Sequence, residues 1–207
     1  MAAGLFITFE GIDGSGKSTQ ARLLADRLTT AGQSVVLTRE PGGSTGAEEI
    51  RALVLEGSPD RWSAETELLL FTAARRDHLE KTISPALEQG KLVLCDRFVD
   101  STRVYQGITR GDLRQKVDIL HELMIGREPD LTFIIDIDPA KGLSRALARA
   151  TAEERFEEFG EDMQRRMRQG FLDLAAEFPE RCVIVDGNRE PGVIAGEIEA
   201  VVAKHLP

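Results

Sequence analysis

The sequence has few of the residues that mark several large classes of protein. It holds two cysteines in 207 residues, Cys95 and Cys182, and they show no spacing typical of a zinc site or redox pair. Each lies in or beside an apolar run, so we expect both to be small buried hydrophobic residues. No apolar run approaches the ~18 residues of a membrane span, and the N-terminus lacks the basic and apolar regions of a signal peptide. We therefore expect a cytoplasmic protein with no membrane partner.

Basic residues are also in the minority. The chain carries 26 Lys and Arg against 35 Asp and Glu, a net charge of −9. A general nucleic-acid-binding surface leaves a basic footprint, so this balance argues against a nucleic-acid partner, although it permits a small positive pocket. Hydrophobic residues make up 42% of the chain, and no linker or repeat divides it. We predict a single domain over residues 1–207.

Five short apolar runs predict the strands of a sheet. They are continuous rather than alternating, as in parallel strands that are covered on both faces. Segments with helical periodicity separate them, and the clearest, 17–31, is followed by Gly32 as a stop signal. This alternation predicts a doubly wound α/β fold with a five-stranded parallel sheet. The predicted strands are 5–9, 35–37, 92–95, 131–137 and 182–185, and further predicted helices cover 65–79, 140–150, 162–178 and 193–205.

A phosphate-binding loop connects the first predicted strand to the first predicted helix. Residues 11–18 read GIDGSGKS and match G-x-x-x-x-G-K-[ST]. Glycines let the backbone approach phosphate oxygens, and the successive N–H groups with the helix N-terminus form an anion cradle. In this pattern Lys17 neutralises the β- and γ-phosphates of ATP, and the Ser18 hydroxyl ligates Mg²⁺. The predicted ATP-binding residues of the loop are Gly11, Ile12, Asp13, Gly14, Ser15, Gly16, Lys17 and Ser18.

A charged pair, Asp96-Arg97, follows the third predicted strand. An acid at the carboxyl end of a parallel strand beside the phosphate loop would face the phosphates and Mg²⁺. The adjacent arginine could form a bidentate contact with a phosphate. A surface ion pair is the alternative interpretation of the dipeptide.

Five sequence blocks together resemble the bacterial thymidylate kinases across nearly the whole chain. The resemblance implies transfer of the γ-phosphoryl group of ATP to dTMP, with Mg²⁺ as a cofactor, by a homodimer. A kinase for another nucleoside monophosphate is the serious alternative, because a few pocket contacts decide which base is accepted. A GTPase switch would carry an Asn-Lys-x-Asp motif, which this sequence lacks. The blocks are FEGIDGSGKSTQ (9–20), TREPGG (38–43), FTAARRDH (71–78), DRFVDSTRVYQG (96–107) and PDLTFIIDI (129–137).

The resemblance implies roles for individual residues in an acceptor site. Asp13 matches the acid that binds the 3′-hydroxyl, Arg97 the arginine that holds the acceptor phosphate, and Tyr105 the residue that disfavours a ribose. Phe71 would stack on thymine and Arg75, one helical turn later, would read a base oxygen. Without the resemblance these two would be interpreted as core and solvated charge, and Asp13 as a polar turn residue. The implied acceptor-site residues are Asp13, Arg39, Phe71, Arg75, Arg97, Ser101, Thr102, Tyr105 and Gln106.

Three of these positions carry further expectations. Thr102 is the candidate for the N3 edge of the base, and Gln106 would line the same pocket. Arg39 either reaches the acceptor phosphate or braces its own loop. Asp96, with Ser18, is expected to organise Mg²⁺ and its waters.

A short lid is expected at about residues 149–157. Family members without an arginine beside the acid of the phosphate loop supply a catalytic arginine from the lid, and here Gly14 occupies that position. Mobile arginines that close over the γ-phosphate would neutralise the charge of the transition state. Arg145, one turn before Arg149, either stacks on adenine or is an exposed helix residue. The predicted catalytic residues are Lys17, Arg97, Arg149 and Arg155.

The sequence departs from the family pattern at three places. Phe98 stands where a tyrosine is usual, and Val104 stands where an alanine is common. The lid segment 150–155, ATAEER, is one residue longer than the common pattern and lacks its glycine.

Overall fold

The computed structural model describes residues 4–58, 61–108, 111–148 and 160–206. In these ranges the chain forms a five-stranded, all-parallel sheet with helices on both faces, which confirms the predicted fold class. The strands are β1 (Phe6–Glu10), β2 (Val35–Arg39), β3 (Leu92–Asp96), β4 (Leu131–Asp136) and β5 (Cys182–Asp186). The helices are α1 (Lys17–Thr30), α2 (Thr45–Leu55), α3 (Ala64–His78), α4 (Ser84–Glu88), α5 (Val99–Ile108), α6 (Arg114–Met124), α7 (Pro139–Leu147), α8 (Gly160–Glu177) and α9 (Pro191–Val202), with a π-helix (Leu79–Ile83) between α3 and α4.

The strand that precedes the phosphate loop lies at the centre of the sheet. The strand order is β2-β3-β1-β4-β5, and Phe9 of β1 pairs with Asp96 of β3 on one side and Phe133 of β4 on the other. In a parallel sheet of this kind, ligands bind outside the carboxyl ends of the strands, where the chain connections diverge to either side. The loop 11–18 begins at that point.

Alternate residues of β1 enter different hydrophobic cores. Ile7 and Phe9 are fully buried against α1 and α9, where they meet residues such as Leu24 and Ile198. Phe6 points to the opposite face, which α3, the π-helix, α4 and α6 cover. Burial of apolar surface on both sides of the central strands therefore fixes the edge at which the phosphate loop emerges.

The edge strands correct one expectation from the sequence. Coverage on both faces holds for the central strand β1, whose residues are all buried, but Leu37 of β2 is 43% exposed and Ile184 of β5 is 48% exposed. These strands have a neighbour on one side only, and the helices pack mainly over the centre of the sheet. Continuous apolar sequence therefore does not prove two-sided burial.

The predicted helix boundaries agree with the structure at the points that matter for the site. Helix α1 begins at Lys17, and Gly32 adopts a positive φ of 83° just beyond its end. The predicted helix 65–79 is α3, which continues directly into the π-helix. Both cysteines are free and buried. No helix in the described ranges has the length and apolar character needed to span a membrane.

Candidate active site

The phosphate loop turns sharply between β1 and α1 because its glycines adopt positive φ. The φ values are 134° at Gly11, 74° at Gly14 and 100° at Gly16, which is the N-cap of α1. Residues other than glycine rarely adopt this backbone conformation. The side chain of Ile12 is buried in the core beneath the loop, so its backbone remains at the site. This strand–loop–helix arrangement is the context that the phosphate-binding pattern requires.

Lys17 lies folded against its own loop. Its Nζ donates to the Ile12 carbonyl at 2.8 Å and lies 3.5 Å from the Ser15 hydroxyl. Burial disfavours the charged ammonium, and the positive charge of Arg97 adds to this effect, so the pKa of Lys17 is lowered to about 8. The nearby acids Asp13, Asp96 and Glu10 offset this effect only in part, and a bound phosphate group would add further negative charge that favours the ammonium form.

Ser18 and Asp96 provide oxygen ligands suited to a magnesium ion. The Ser18 hydroxyl donates to Oδ2 of Asp96, while Oδ1 of Asp96 is buried without a hydrogen-bond partner in the described part of the chain. Hydroxyl and carboxylate oxygens are hard ligands that Mg²⁺ prefers, together with phosphate oxygens and water. The described residues contain no group of three or more His, Cys, Asp or Glu that could hold a metal by themselves. The donor set therefore fits a magnesium ion shared with a nucleotide.

A pocket adjoins the phosphate loop and gathers the predicted acceptor-site residues. All of them except Arg39 line it. They come from the loop, from α3 and from the region of β3 and α5, which the sheet topology brings to one edge. The lining residues are Asp13, Glu40, Pro41, Arg51, Leu55, Phe71, Arg75, Arg97, Phe98, Ser101, Thr102, Tyr105 and Gln106.

Arg97 lies where the pocket meets the phosphate loop. Its guanidinium forms an ion pair with Asp13 and donates to the Ser101 hydroxyl at 2.9 Å. The Tyr105 hydroxyl donates to the other oxygen of Asp13 at 2.8 Å. Burial disfavours the ionised carboxylate of Asp13, but the charges of Arg97 and Lys17 and the Tyr105 hydrogen bond outweigh it, and the pKa of Asp13 is lowered. The site therefore presents an ionised acid and two cations within one cluster.

Arg75 lines the same pocket and is held by buried polar groups. Its Nη2 donates to the Thr102 hydroxyl at 2.9 Å, and its Nε donates to the Glu40 carboxylate at 2.7 Å. The other oxygen of Glu40 lies 3.1 Å from Nδ1 of His78, whose Nε2 lies 2.7 Å from the Thr38 hydroxyl. Arg75 and Glu40 are each 4% exposed. A buried polar chain therefore fixes the plane of the Arg75 guanidinium.

Gln106 has a similar support. Its amide nitrogen donates to Oε1 of Glu67 at 2.8 Å, and both residues are buried. Phe71, one turn after Glu67 on α3, is half-buried and exposes its ring to the pocket.

Arg39 and Arg145 lie outside the pocket lining. The Arg39 guanidinium is within 3.2 Å of both carboxylate oxygens of Glu48, and Glu48 also accepts the Gly43 N–H at 3.0 Å. This geometry favours the loop-bracing interpretation of Arg39. Arg145 is exposed in the last turn of α7. The predicted lid with Arg149 and Arg155 lies outside the described residues.

Several residues of the site were not predicted from the sequence. Arg51 and Leu55 reach the pocket from α2, and Arg51 donates to the Pro41 carbonyl at 2.5 Å. Glu40 stands inside TREPGG, and Glu10 stands inside FEGIDG, so both motifs contained a buried acid without an evident role. The presence of an acid within each motif, near the end of a predicted strand, was the sequence signal available for these two. Nothing in the spacing of α2 pointed toward the site.

Comparisons with known proteins agree on one family. A family model described as thymidylate kinase matches residues 9–198. The chain is 70% identical over 203 residues to a thymidylate kinase of Ruegeria pomeroyi, and this alignment covers 98% of this chain and 96% of the relative. It is 66% identical over 197 residues to that of Dinoroseobacter shibae, covering 95% of each. A crystal structure of thymidylate kinase from Ehrlichia chaffeensis superposes with a TM-score of 0.78 at 39% identity, covering 97% of this chain and 99% of that chain.

Proposed function

The chain belongs to the thymidylate kinase family, and on that basis we propose roles for its described residues in the reaction. The enzyme transfers the γ-phosphoryl group of ATP to dTMP and so produces dTDP and ADP. Phosphoryl transfer of this kind needs little covalent help from the protein. It depends on alignment of the two phosphates and on neutralisation of their charge.

The phosphate loop binds the ATP end of the reaction. The N–H groups of residues 11–18 cradle the phosphates, and Lys17 exchanges its contact with the Ile12 carbonyl for phosphate oxygens. Because burial lowers the pKa of Lys17 to about 8, a bound phosphate also favours its charged form.

The acceptor phosphate binds at Arg97, close to Lys17. Arg97 already has its guanidinium directed between the loop and the pocket, so little reorganisation is needed when dTMP enters. Asp13 accepts the 3′-hydroxyl of the sugar, and the Tyr105 ring lies against the sugar where a ribose 2′-hydroxyl would project. No general base is required, because the acceptor phosphate is already an anion at neutral pH.

The base is read by pocket residues of α3 and α5. The Phe71 ring stacks on thymine, Arg75 donates to a base oxygen, and Thr102 faces the N3 edge. The buried Glu40 and Glu67 hold Arg75 and Gln106 in fixed orientations. A preformed polar site of this kind rejects bases that leave its buried groups unpaired.

Magnesium would be held by Ser18 and Asp96 together with the ATP phosphates. When bound, it would neutralise charge on the phosphate oxygens. The Ser18 hydroxyl and the Asp96 carboxylate contact each other, so one ion could engage both. Arg149, Arg155 and Arg145 complete the proposal, the first two as lid cations and the third as a platform for adenine.

We also propose that the enzyme is a cytoplasmic homodimer. Large apolar side chains are exposed on α3 and α6, two helices that contact each other, and they include Leu69, Ile119 and Leu123. An exposed apolar surface of this kind is typical of a protein–protein interface.

One observation carries the proposed site: eight of the nine acceptor residues named from the motifs, which lie far apart in the sequence, line a single pocket next to the phosphate loop. The direct test is Arg97→Ala, assayed by ADP release with dTMP as acceptor. We expect kcat/KM for dTMP to fall at least tenfold, about 1.4 kcal/mol. Arg27→Ala, which removes a partly exposed arginine at the far end of α1, should stay within twofold of the parent enzyme. A smaller loss at Arg97 would contradict its proposed role.

A further inference from the structure

Glu10 is a fully buried carboxylate that the reaction itself does not use. It is the last residue of β1 and directly precedes the phosphate loop. Its Oε1 accepts the backbone N–H of Phe98 at 2.7 Å, and its Oε2 accepts the Ser101 hydroxyl at 2.6 Å. Both donors follow Arg97 within one helical turn of the chain. Glu10 therefore makes two hydrogen bonds to the segment directly after the acceptor-phosphate arginine.

The backbone of Arg97 is the unusual feature of that segment. Among the described residues Arg97 alone is a non-glycine residue with positive φ, 69°. Such a conformation is unfavourable for a side-chain-bearing residue and persists only where surrounding contacts impose it. The Arg97 N–H donates to the Phe9 carbonyl at 3.0 Å, its carbonyl lies 3.0 Å from Sγ of Cys95, and Glu10 binds the next N–H. These contacts fix the turn.

The second contact of Glu10 acts on the side chain of Arg97. Nη1 of Arg97 donates to the Ser101 hydroxyl, and that hydroxyl donates its own hydrogen to Glu10. An ionised carboxylate accepts both the Phe98 N–H and the Ser101 O–H, so the lone pairs of Ser101 remain available to the guanidinium.

We propose that Glu10 is a positioning residue of the phosphoryl transfer, which holds the backbone and guanidinium of Arg97 in the orientation that receives the acceptor phosphate. The inference depends on the proposed role of Arg97. It predicts that Glu10 contributes to activity at the expense of folding stability, because a buried carboxylate is retained to maintain an unfavourable backbone conformation.

The electrostatics agree with this inference. Burial, together with the negative charge of Asp100, outweighs the opposing contacts with Ser101, Arg97 and Phe98 and raises the pKa of Glu10 to about 7. An acid whose pKa is raised by folding contributes most stability below its ordinary value of 4.5, and this contribution is lost as the pH rises through about 7. At pH 8 the folded enzyme therefore carries an ionised Glu10 that opposes folding.

The test is Glu10→Gln, which keeps the shape of the side chain. The amide oxygen still accepts the Phe98 N–H, but the amide NH₂ now donates to Ser101, where it competes with Arg97 and leaves the hydroxyl hydrogen without its acceptor. We expect kcat/KM for dTMP at pH 8 to fall at least tenfold while KM for ATP stays within twofold. At pH 8 the Tm of the variant should be no lower than that of the parent enzyme. At pH 5.5 the Tm of the variant relative to that of the parent enzyme should be less favourable than at pH 8. A fall of both activity and Tm at pH 8 would indicate a merely structural role and overturn the proposal.

Two further variants make the result specific. Thr8→Val removes a buried hydrogen bond to Thr132 (2.8 Å) two residues earlier on the same strand, and should leave activity within twofold. The double variant that combines Glu10→Gln with Arg97→Ala should be as active as Arg97→Ala alone, because Glu10 acts on the reaction only through Arg97. If Arg97→Ala is impaired and Glu10→Gln is not, the positioning role is wrong while the proposed function stands. If Arg97→Ala retains activity within tenfold, or the two losses multiply in the double variant, the inference fails as well.

Discussion

The phosphate loop and helix α7 meet through the backbones of Gly14 and Gly142. A Cβ atom at Gly14 would lie 2.0 Å from the carbonyl oxygen of Gly142, and one at Gly142 would lie 2.9 Å from the carbonyl oxygen of Asp13. Neither contact leaves room for a side chain, and Gly14 also has a positive φ of 74°. The position beside Asp13 therefore cannot carry a cation in this packing, which fits the expectation that arginines outside the loop supply it.

The first prediction concerns Gly142→Ala. A glycine-to-alanine change inside a helix usually stabilises a protein by about 0.5–1 kcal/mol. Here the methyl group would press on the Asp13 carbonyl and displace the phosphate loop from α7. We expect a lower Tm and a several-fold higher KM for ATP, measured by differential scanning fluorimetry and steady-state kinetics.

Gly192→Ala is the matched control for that change. Gly192 lies in α9, and nothing lies within 4 Å of a Cβ built there. The Tm of Gly192→Ala should equal or exceed that of the parent enzyme, and its KM for ATP should be unchanged. Equal behaviour of the two variants would show that the Gly14–Gly142 contact does not constrain the loop.

The second prediction concerns the hydroxyl group that orients Arg75. Thr102→Val keeps the shape of the side chain but removes the acceptor for Nη2 of the buried Arg75. The loss of one hydrogen bond to a charged group costs about 1.5–3 kcal/mol. We expect KM for dTMP to rise about tenfold or more, with KM for ATP within twofold. Thr102→Ser retains the hydroxyl and should remain close to the parent enzyme; comparable kinetics for both variants would remove Thr102 from the base-reading site.

The third prediction concerns Glu128, whose ionisation makes the free energy of unfolding depend on pH. Glu128 accepts from Nη2 of Arg103, a residue of α5, at 2.6 Å, and lies 3.1 Å from Nε2 of His121 and 3.4 Å from Nη2 of Arg181. Burial disfavours its ionised form, but these partners outweigh burial and hold the pKa of Glu128 well below its ordinary value of 4.5. An acid whose pKa is depressed by folding stabilises the protein above about pH 4.5, and that contribution is lost as the pH falls.

Glu128→Gln should therefore unfold more readily at neutral pH. Because the carboxylate is 41% exposed, solvent screens the pairs, and we expect a loss of about 1 kcal/mol in the free energy of unfolding at pH 7. Urea titrations should show the difference from the parent enzyme shrinking as the pH drops below 4.5. Glu161→Gln, at an exposed pair with Arg165 on α8, should have little effect at either pH. A pH-independent difference for Glu128→Gln would assign its effect to packing rather than charge.

Much of the fold could be predicted because local sequence signals and tertiary packing agree. The strands were predicted to within about two residues at each end, since apolar runs bounded by glycine or charge leave few alternatives. The π-helix after α3 was not predicted, because Leu79–Ile83 continues the helical pattern without a local signal.

The supports of the site depend on contacts between segments far apart in the chain. The positive φ of Arg97 follows from contacts with Phe9, Cys95 and Glu10 rather than from the preferences of arginine. The position of Arg39 is set by Glu48, nine residues later, across a turn that the sequence does not specify. The sequence motifs were enough to predict which residues would contact the substrate. The residues that hold those side chains in place could be identified only from the structure.

The last prediction concerns the apolar surface on α3 and α6. Two polar contacts join these helices, one between Glu65 and Lys116 at 3.0 Å and one from Arg76 to the Met124 carbonyl at 2.7 Å. The two helices also expose Leu69 and Leu123, which are 56% and 72% exposed. An exposed leucine flanked by paired charges contributes little to the folding of one chain, but it would form the core of an interface with a polar rim.

Leu123→Asp should disrupt a dimer and leave the chain folded, because the substituted side chain is mostly exposed to solvent. Sedimentation equilibrium should give twice the 22.8 kDa chain mass for the parent enzyme and the chain mass for the variant, with unchanged far-UV circular dichroism. Val193→Asp, at a 57% exposed residue of α9 on the other face of the sheet, should keep the parent mass. A parent enzyme that sediments as a single chain would exclude the dimer, and a Leu123→Asp variant that keeps the doubled mass would place the interface on a different surface.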